Sequence, residues 1–536
     1  NTIDSTLALA LLLSAWAVMR AAESGKLRWL ALSAVFVGLG FNIKMAEAYL
    51  LLPALILTYL LCAPRPILTR AGHLLVFVVI VLALSISWLG IVDLTPAAQR
   101  PYVGSTRNNS EISLATGYNG VGRLRIGGGG PFGRTPASSV NPMQQILDPA
   151  ANGANGPLRL FSQTLGGQIA WLLPLALLGI VSLAWKRRFR PQEDRQQSGL
   201  VLWGMWLLTM TIFFTVFGAF HEYYLTEMAP GLSAMVGIGL VMMWQDYRQR
   251  GWRSWLLPIT LVLTAWSQIS LLASYPEWSS WMSPLIGSLT GLAVIGLILF
   301  RLLPGLKMRA MTMRIAGIAT GIGLGALLIS PTVWAGYSVI QNTESSAPTA
   351  GPGFQAARAG VGGGGRPGAV RAIRSGFGVD LLGGAAQANP ALVSYLDAHQ
   401  GTTTFLVATP SSGSADALIL TTNKPVMALG GFSGGDPILT VSQLQTLIQN
   451  NTVRYFLLAP QRGAPGQLDQ LPERYREFFE RGGNAGGIGG FGRFGGVGQN
   501  TLISWISRNC SQVPATAFSS LTALGNNHLY DCGSRN

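Results

Sequence analysis

Ten mostly apolar runs dominate the first 336 residues, at 4–19, 28–42, 46–62, 72–92, 165–185, 199–220, 229–244, 254–274, 283–303 and 313–336. A helix needs about 20 such residues to cross the hydrocarbon core of a bilayer. In lipid, every backbone polar group must be satisfied internally, so these runs have to be helices packed together. The expected fold is an α-helical polytopic membrane bundle. Composition agrees. Only 11% of the 536 residues are charged, against about 25% in soluble domains, and the mean hydropathy is +0.37. An ordinary water-soluble enzyme, a disordered tail and a disulfide-dense secreted domain are excluded. Runs 28–42 and 46–62 have almost no linker, which requires a tight turn around Asn42–Lys44.

The net charge of +15 raises nucleic-acid binding, so the position of the charges has to decide. Arg20, Lys26 and Arg28 follow the first run, and Arg65 and Arg70 the third. Lys186, Arg187, Arg188, Arg190 and Arg195 follow the fifth, Arg248, Arg250 and Arg253 the seventh, and Arg301, Lys307, Arg309 and Arg314 the ninth. The intervening loops 221–228 and 275–282 carry no Lys or Arg, and the Asn42 turn has only Lys44. Cations that alternate from loop to loop set the orientation of a membrane protein, with the basic loops cytoplasmic. The N-terminal end, the loop 93–164 and everything after residue 336 are therefore expected outside. No single basic face is left for nucleic acid.

The long outer loop 93–164 is rich in glycine, notably Gly127–Gly130. Residues 337–388 read as a Gly/Pro-rich linker, with Gly362–Gly365, and 482–498 as a third glycine-rich run. Flexible linker is the plain reading of each, although Arg123, Arg125 and Arg134 in the first can meet anionic headgroups. No phosphate-cradling glycine motif is present. Residues 389–536 alternate helical and β-rich patterns and are expected to form a small extracytoplasmic α/β domain with a parallel sheet. Helices are predicted at Asn389–His399, Ala415–Thr422, Val441–Asn450 and Thr501–Arg508. Strands are predicted at Thr403–Thr409, Val426–Leu429, Val453–Ala459 and His528–Cys532. The segment Gly430–Pro437 follows a strand. It is either a ligand loop or a tight turn that needs positive φ. Cys510 and Cys532 are disulfide candidates on the oxidising side. Cys62 reads as a small apolar filler, and no Cys/His spacing suits zinc.

Ionisable residues in membrane segments are costly and mark function. Several fall at one depth, the outer ends of the runs: Asp4, Lys44, Glu47, Asp93, His221, Glu222 and Glu227, with Tyr223 and Tyr224 beside them. Gathered in one cavity, they suit a lipid phosphate-linked donor, whose tail stays in the bilayer. A cation there binds the phosphate and stabilises it as leaving group, a role that Lys44 fits. A carboxylate takes the acceptor hydroxyl's proton or holds a divalent metal, a role that Asp4 fits. Glu47, His221, Glu222, Tyr223 and Tyr224 are candidates for acceptor or metal contacts. Each has a plainer reading: Lys44 snorkelling, Asp4 as a helix N-cap, His221 and Glu222 as interfacial loop residues, and the tyrosines in an interfacial belt. A divalent cation is the candidate cofactor. A membrane transporter or flippase would instead place ionisable groups near the midplane, and a third possibility is a non-catalytic scaffold with an outer binding domain.

Residues 1–61, with Asp4 opening a helix, the GLGFNIKM turn (Gly38–Met45) and Pro53, resemble bacterial membrane glycosyltransferases of family 39. These are relatives of protein O-mannosyltransferases and of the aminoarabinose transferase. The stretch FHEYYLTEMAPG from Phe220 resembles a second family segment, in which Pro is commoner where Glu222 stands. GYNGVGRL (Gly117–Leu124), GGQIAWLLP (Gly166–Pro174), GGFSGGDP and VRYFLL extend the likeness, the last two to the C-terminal domain of a mannosyltransferase subgroup. The resemblance implies a GT-C fold. It also implies inverting transfer of a hexosyl-type sugar, such as mannose, from a polyprenyl-phosphate carrier. The acceptor would be an extracytoplasmic glycan, lipid or protein. Asp4 matches the second acidic position of relatives. The family's first acidic outer loop has no counterpart here, and the chain opens on Asn1 directly into an apolar run. An N-terminally truncated sequence, inactive alone, is therefore expected.

Overall fold

The computed structural model describes residues 3–96, 99–106, 108–117, 119, 158–162, 165–185, 190–216, 222–249, 251–302, 309–340, 349–352, 389–432, 434–458, 497–518 and 527–533. His221, Gly127–Gly130, Gly362–Gly365, residues 482–496 and Arg123, Arg125 and Arg134 lie outside these residues. The described residues fall into two compact units. The first draws on Asn1–Ile91, Ser138–Asn342 and Thr349–Gly364, and the second on Val92–Ala137, Thr343–Pro348 and Gly365–Asn536.

Among the described residues, nine helical stretches are long and apolar enough to cross a membrane: Asp4–Ser24, Leu27–Cys62, Ile67–Leu94, Gly166–Ala184, Arg195–Val216, Glu222–Arg248, Trp252–Leu272, Pro276–Leu302 and Met313–Ile340. The sequence reading has ten runs because it divides Leu27–Cys62. That stretch is in fact bent back on itself. Helix α1 (Asp4–Ser24) ends at Gly25, whose φ of 63° closes a left-handed cap. Helix α2 (Leu27–Lys44) then runs to a reversal at Met45, followed by a 3-10 turn (Met45–Leu51) and helix α3 (Leu52–Cys62), with Pro53 in its first turn. A proline there forfeits no helical hydrogen bond. Just past α3, Arg65 Nε donates to Gly25 O at 3.1 Å. The end of α3 thus lies beside the start of α2, and the two helices are antiparallel.

Small residues let these helices approach. On α1 the buried stripe Leu7, Leu11, Ser14, Ala15, Val18, Ala21 and Ala22 faces its neighbours, and Ser14 Oγ meets Ser33 Oγ of α2 at 2.8 Å. In the second half of the unit, a Cβ on Gly179 would come within 2.9 Å of Gly239 Cα, so Leu173–Ala184 and Ala229–Arg248 cross backbone to backbone. Helix α4 (Ile67–Leu94) buries only Phe77, Val81, Ser85 and Leu89, while Leu75, Val79, Leu82, Ile86 and Ile91 are exposed. A helix this apolar with its faces uncovered is built for lipid.

The basic loops meet one another. Arg195 Nη2 lies 2.7 Å from Glu23 Oε1, and the Gln192 side-chain oxygen accepts from Arg70 Nη2 at 2.7 Å. Arg253 Nη2 donates to Ser182 O, and Arg301 Nη2 to Gly251 O. Asp4 lies at the other end of α1, about 30 Å away for 21 residues at about 1.5 Å each.

The second unit contains a five-stranded sheet of order β2-β1-β3-β5-β4. Its strands are β1 (Ala408–Thr409), β2 (Met427–Ala428), β3 (Tyr455–Leu458), β4 (Ser511–Gln512) and β5 (His528–Asp531). The first three pair in parallel, with Ala408 opposite Met427 and Phe456. The expected all-parallel sheet needs correction, because β5 runs antiparallel to both β3 and β4. The chain turns back between β4 and β5, and this return is clamped by a disulfide joining Cys510 to Cys532. Arg454 holds Asp531 through two hydrogen bonds of 2.7 and 2.8 Å. Helices flank the sheet at Pro390–His399, Ser412–Thr422, Val441–Gln449 and Val497–Asn509. The first begins where the sequence signals it, with the Asn389 side chain capping Ala391 N–H. Tyr455 packs into one core with Leu396, Leu406, Leu418 and Leu529, and its neighbour Phe456 into another with Leu444, Leu502 and Ile506. Both faces of the sheet are therefore covered, as parallel pairing requires.

The Gly430–Pro437 segment is the tight turn. Gly431 and Gly434 have φ of 68° and 79°, and a Cβ on Gly431 would lie 2.3 Å from Asp436 Oδ2. Asp436 accepts the Ser105 N–H at 2.9 Å on each carboxylate oxygen.

Candidate functional site

Two 3-10 turns and one helix end build the site. In a 3-10 helix, residues i and i+3 eclipse. Lys44 caps the turn Met45–Leu51, so it stands over Glu47. In the turn Glu222–Met228, Tyr224 stands over Glu227. Asp4 opens α1. Packing brings the three together. Lys44 Nζ hydrogen-bonds Asp4 Oδ1, lies 2.7 Å from Glu47 Oε2 and sits 3.4 Å above the Tyr224 ring centroid and 5.5 Å from that of Tyr223. The Glu47 and Glu227 carboxyl groups are close neighbours in the same group. One oxygen from each of Asp4, Glu47 and Glu227 lies within 4.8 Å of the other two.

Each position is fixed by its surroundings. Met45 has a φ of 45°, a conformation that costs a non-glycine residue of order 1–3 kcal/mol and is tolerated where the neighbourhood over-determines it. Here Asn42 Nδ2 donates to Gly38 O and to Leu84 O of α4, which pins the end of α2. A Cβ on Gly40 would lie 3.1 Å from Leu7 and 3.3 Å from Ala48, so α1, α2 and the turn are closely apposed. Trp206 Nε1 donates to Glu227 O at 2.8 Å and anchors the second turn.

The plainer readings of these residues do not describe what is seen. Asp4 is not an N-cap: Ile3 holds that position without a side-chain bond, and the Asp4 carboxylate is fully buried against Lys44. Lys44 does not snorkel, since its side chain is 10% exposed and points into carboxylates. Tyr224 is buried beneath the ammonium rather than in a belt. Glu47 and Tyr223 join the group as well. Glu222 does not. Its charge acts on Tyr275. Burial and the Glu222 carboxylate together push the Tyr275 phenol up. Asp93 is spent elsewhere, because its carboxylate accepts from Ser110 Oγ, Glu111 N and Ile112 N and lies 3.4 Å from Arg100.

Glu227 is the residue to which sequence reasoning gives no role. The signal is its spacing of three from Tyr224, which is meaningful only once the segment is known to be 3-10 rather than extended loop.

Chemically the group offers an ammonium held between carboxylates, carboxylate oxygens able to take a proton or ligate a hard cation, and aromatic faces beside them. A multi-helix bundle with such a cluster at its helix ends, joined to a small α/β unit, is the architecture of a membrane glycosyltransferase of the GT-C type. Residues 1–88 match the dolichyl-phosphate-mannose-protein mannosyltransferase family. Residues 392–473 match the family described as "Putative mannosyltransferase YkcB-like, C-terminal". "Putative mannosyltransferase YycA" of Bacillus subtilis is 32% identical over 87% of this chain and 74% of its own length. "Putative mannosyltransferase YkcB" of the same organism is 32% identical over 85% of this chain and 71% of its own. The chain belongs to this family of membrane glycosyltransferases. No solved structure matches it.

Proposed function

We propose that this protein transfers a hexosyl-type sugar, mannose by analogy with its relatives' names, from a polyprenyl-phosphate carrier to an acceptor hydroxyl on the extracytoplasmic side. The observation that carries this reading is the buried Asp4–Lys44–Glu47–Glu227 group at the helix ends remote from the basic loops. Basic loops face the cytoplasm, so the group faces outward, at the depth where a polyprenyl phosphate headgroup sits.

In the transfer, the acceptor oxygen attacks the sugar C1, and the C1–O bond to phosphate breaks with inversion. The acceptor's proton passes to the Asp4 carboxylate. Lys44 binds the phosphate oxygens and stabilises the departing polyprenyl phosphate. Its amine is already desolvated and oriented, which removes part of the cost of binding an anion. Tyr223 and Tyr224 border the same ammonium and offer a surface for the sugar.

The test is transfer of radiolabelled mannose from polyprenyl-phosphate mannose by the full-length protein in nanodiscs. Asp4→Asn and Lys44→Ala are each expected to lower the rate by about 100-fold or more, the range for general acid–base and electrostatic groups, with insertion intact. Undiminished transfer in both variants refutes these roles.

A further inference from the structure

We propose that Asp4, Glu47 and Glu227 bind a divalent cation of the hard, oxygen-preferring class, Mg2+, Mn2+ or Ca2+, beside Lys44. Three observations carry this. The first is geometric: one carboxylate oxygen from each residue lies within 4.8 Å of the others. Ligands opposite each other on such a cation, with bonds of about 2.1–2.4 Å, stand about 4.2–4.8 Å apart. The three oxygens thus already span one ion.

The second is charge. Three carboxylates face one ammonium, with Asp4 0% and Glu227 1% exposed. An uncompensated buried charge costs several kcal/mol. A divalent cation removes the whole excess of two negative charges in a single step.

The third concerns particular atoms. Asp4 Oδ2 and Glu227 Oε1 are buried and accept no hydrogen bond from any described residue. Buried oxygens normally have partners, and these two belong to carboxylates of the cluster. The donor set is all oxygen among the described residues, which favours Mg2+, Mn2+ or Ca2+ over zinc or copper.

Protons are the rival occupants, since the neighbouring Glu47 and Glu227 carboxyls can share one. The two occupants behave differently towards Lys44, whose ammonium touches Asp4 and Glu47. A metal ion on those carboxylates repels the ammonium and weakens its pairs. A loaded site therefore frees Lys44 to engage a phosphate oxygen. Only this last consequence rests on the sugar-phosphate reading, and the binding site does not.

The experiment uses the full chain in nanodiscs, stripped with chelator and titrated with Mn2+ in the absence of any sugar donor. Free Mn2+ is read by electron paramagnetic resonance, and thermal unfolding is followed in parallel. We expect one Mn2+ per chain, displaced by Mg2+ or Ca2+, and a higher unfolding temperature when it is bound. Glu227→Gln, nearly isosteric, weakens binding by about tenfold or more, or about 1.4 kcal/mol. Lys44→Ala tightens binding, a direction that general damage to the fold does not produce. Absence of stoichiometric Mn2+, or an affinity unmoved by both substitutions, overturns the proposal in favour of shared protons. Should Glu227→Gln fail to insert, Glu47→Gln and the wild-type stoichiometry decide in the same way. Because no donor is present, a failure here leaves mannose transfer untouched. Mn2+ binding without transfer refutes the transfer reading alone.

Discussion

Substituting Lys44 by Met removes the ammonium that contacts the buried carboxylates Asp4 and Glu47 while keeping the length of the side chain. The Lys44–Glu47 pair spans 2.7 Å. At an effective permittivity of about 20, that separation corresponds to about 6 kcal/mol of attraction. Lys44 makes a second pair with Asp4, and its side chain is 10% exposed, so little is lost to solvent screening. Part of the attraction offsets the desolvation of the ions. Breaking a buried pair by removing one partner costs about 3–5 kcal/mol, because the abandoned charge stays buried. Asp4→Asn leaves Lys44 paired to Glu47 and is expected to cost less. The two changes remove the same interaction, so the double variant is expected to fall short of additivity by about 1 kcal/mol or more. The assay is thermal unfolding in nanodiscs, with chelator and at fixed scan rate, followed by tryptophan fluorescence. At about 2–4 °C per kcal/mol, Lys44→Met should lower the midpoint by about 6–20 °C. A change below about 1 kcal/mol, or additivity within about 0.5 kcal/mol, would refute the claim that these side chains form one buried electrostatic unit.

Two further outcomes concern the α/β unit. Replacing Cys510 and Cys532 with Ser opens a loop with a sequence separation of 22. By loop-closure entropy that costs about 3 kcal/mol, and it should appear as faster proteolysis of β4 and β5 in the full chain. Burial resists ionisation of Asp531, but the Arg454 guanidinium and the Gly533 N–H outweigh it and hold its pKa below the usual carboxylate value. A carboxylate depressed in the folded state contributes stability that is full above its unfolded pKa of about 3.9 and is lost as pH falls through the lower folded value. Protection of β5 from an acid-active protease should therefore fall below about pH 4 in the wild type, whereas Asp531→Asn should be weaker at pH 6 and should lack that acid-dependent part. Equal pH profiles would refute the linkage.

Much of the bundle is legible in the chain because a bilayer reads composition directly. Length, apolarity and loop cations need no knowledge of neighbours, and the runs found in sequence fall on observed helices with ends that differ by up to seven residues. The helical segments after residue 389 are legible for a related reason: Asn389 before Pro390 and Thr440 with Gln443 are local capping signals, and both form. The sheet was harder. Strands β1 and β2 are two residues each, too short for an alternating pattern, and β4 carries no apolar signal at all. The antiparallel return of β5 depends on a disulfide and a salt bridge to residues distant in sequence.

Sequence alone determined that the chain is a membrane-spanning bundle, which loops are basic, and which helix ends carry ionisable groups. These follow from the cost of placing polar groups in hydrocarbon, which acts on each segment separately. Tertiary structure alone decided which of those groups meet. Asp4, Lys44, Glu47, Tyr224 and Glu227 come together because α2 reverses at Met45 and two 3-10 turns aim every third residue inward. Glu222, by contrast, acts electrostatically on Tyr275. Apolar periodicity records how a helix is buried and carries no information on which polar end will face which. That is settled by close packing at Gly40, Asn42 and Trp206.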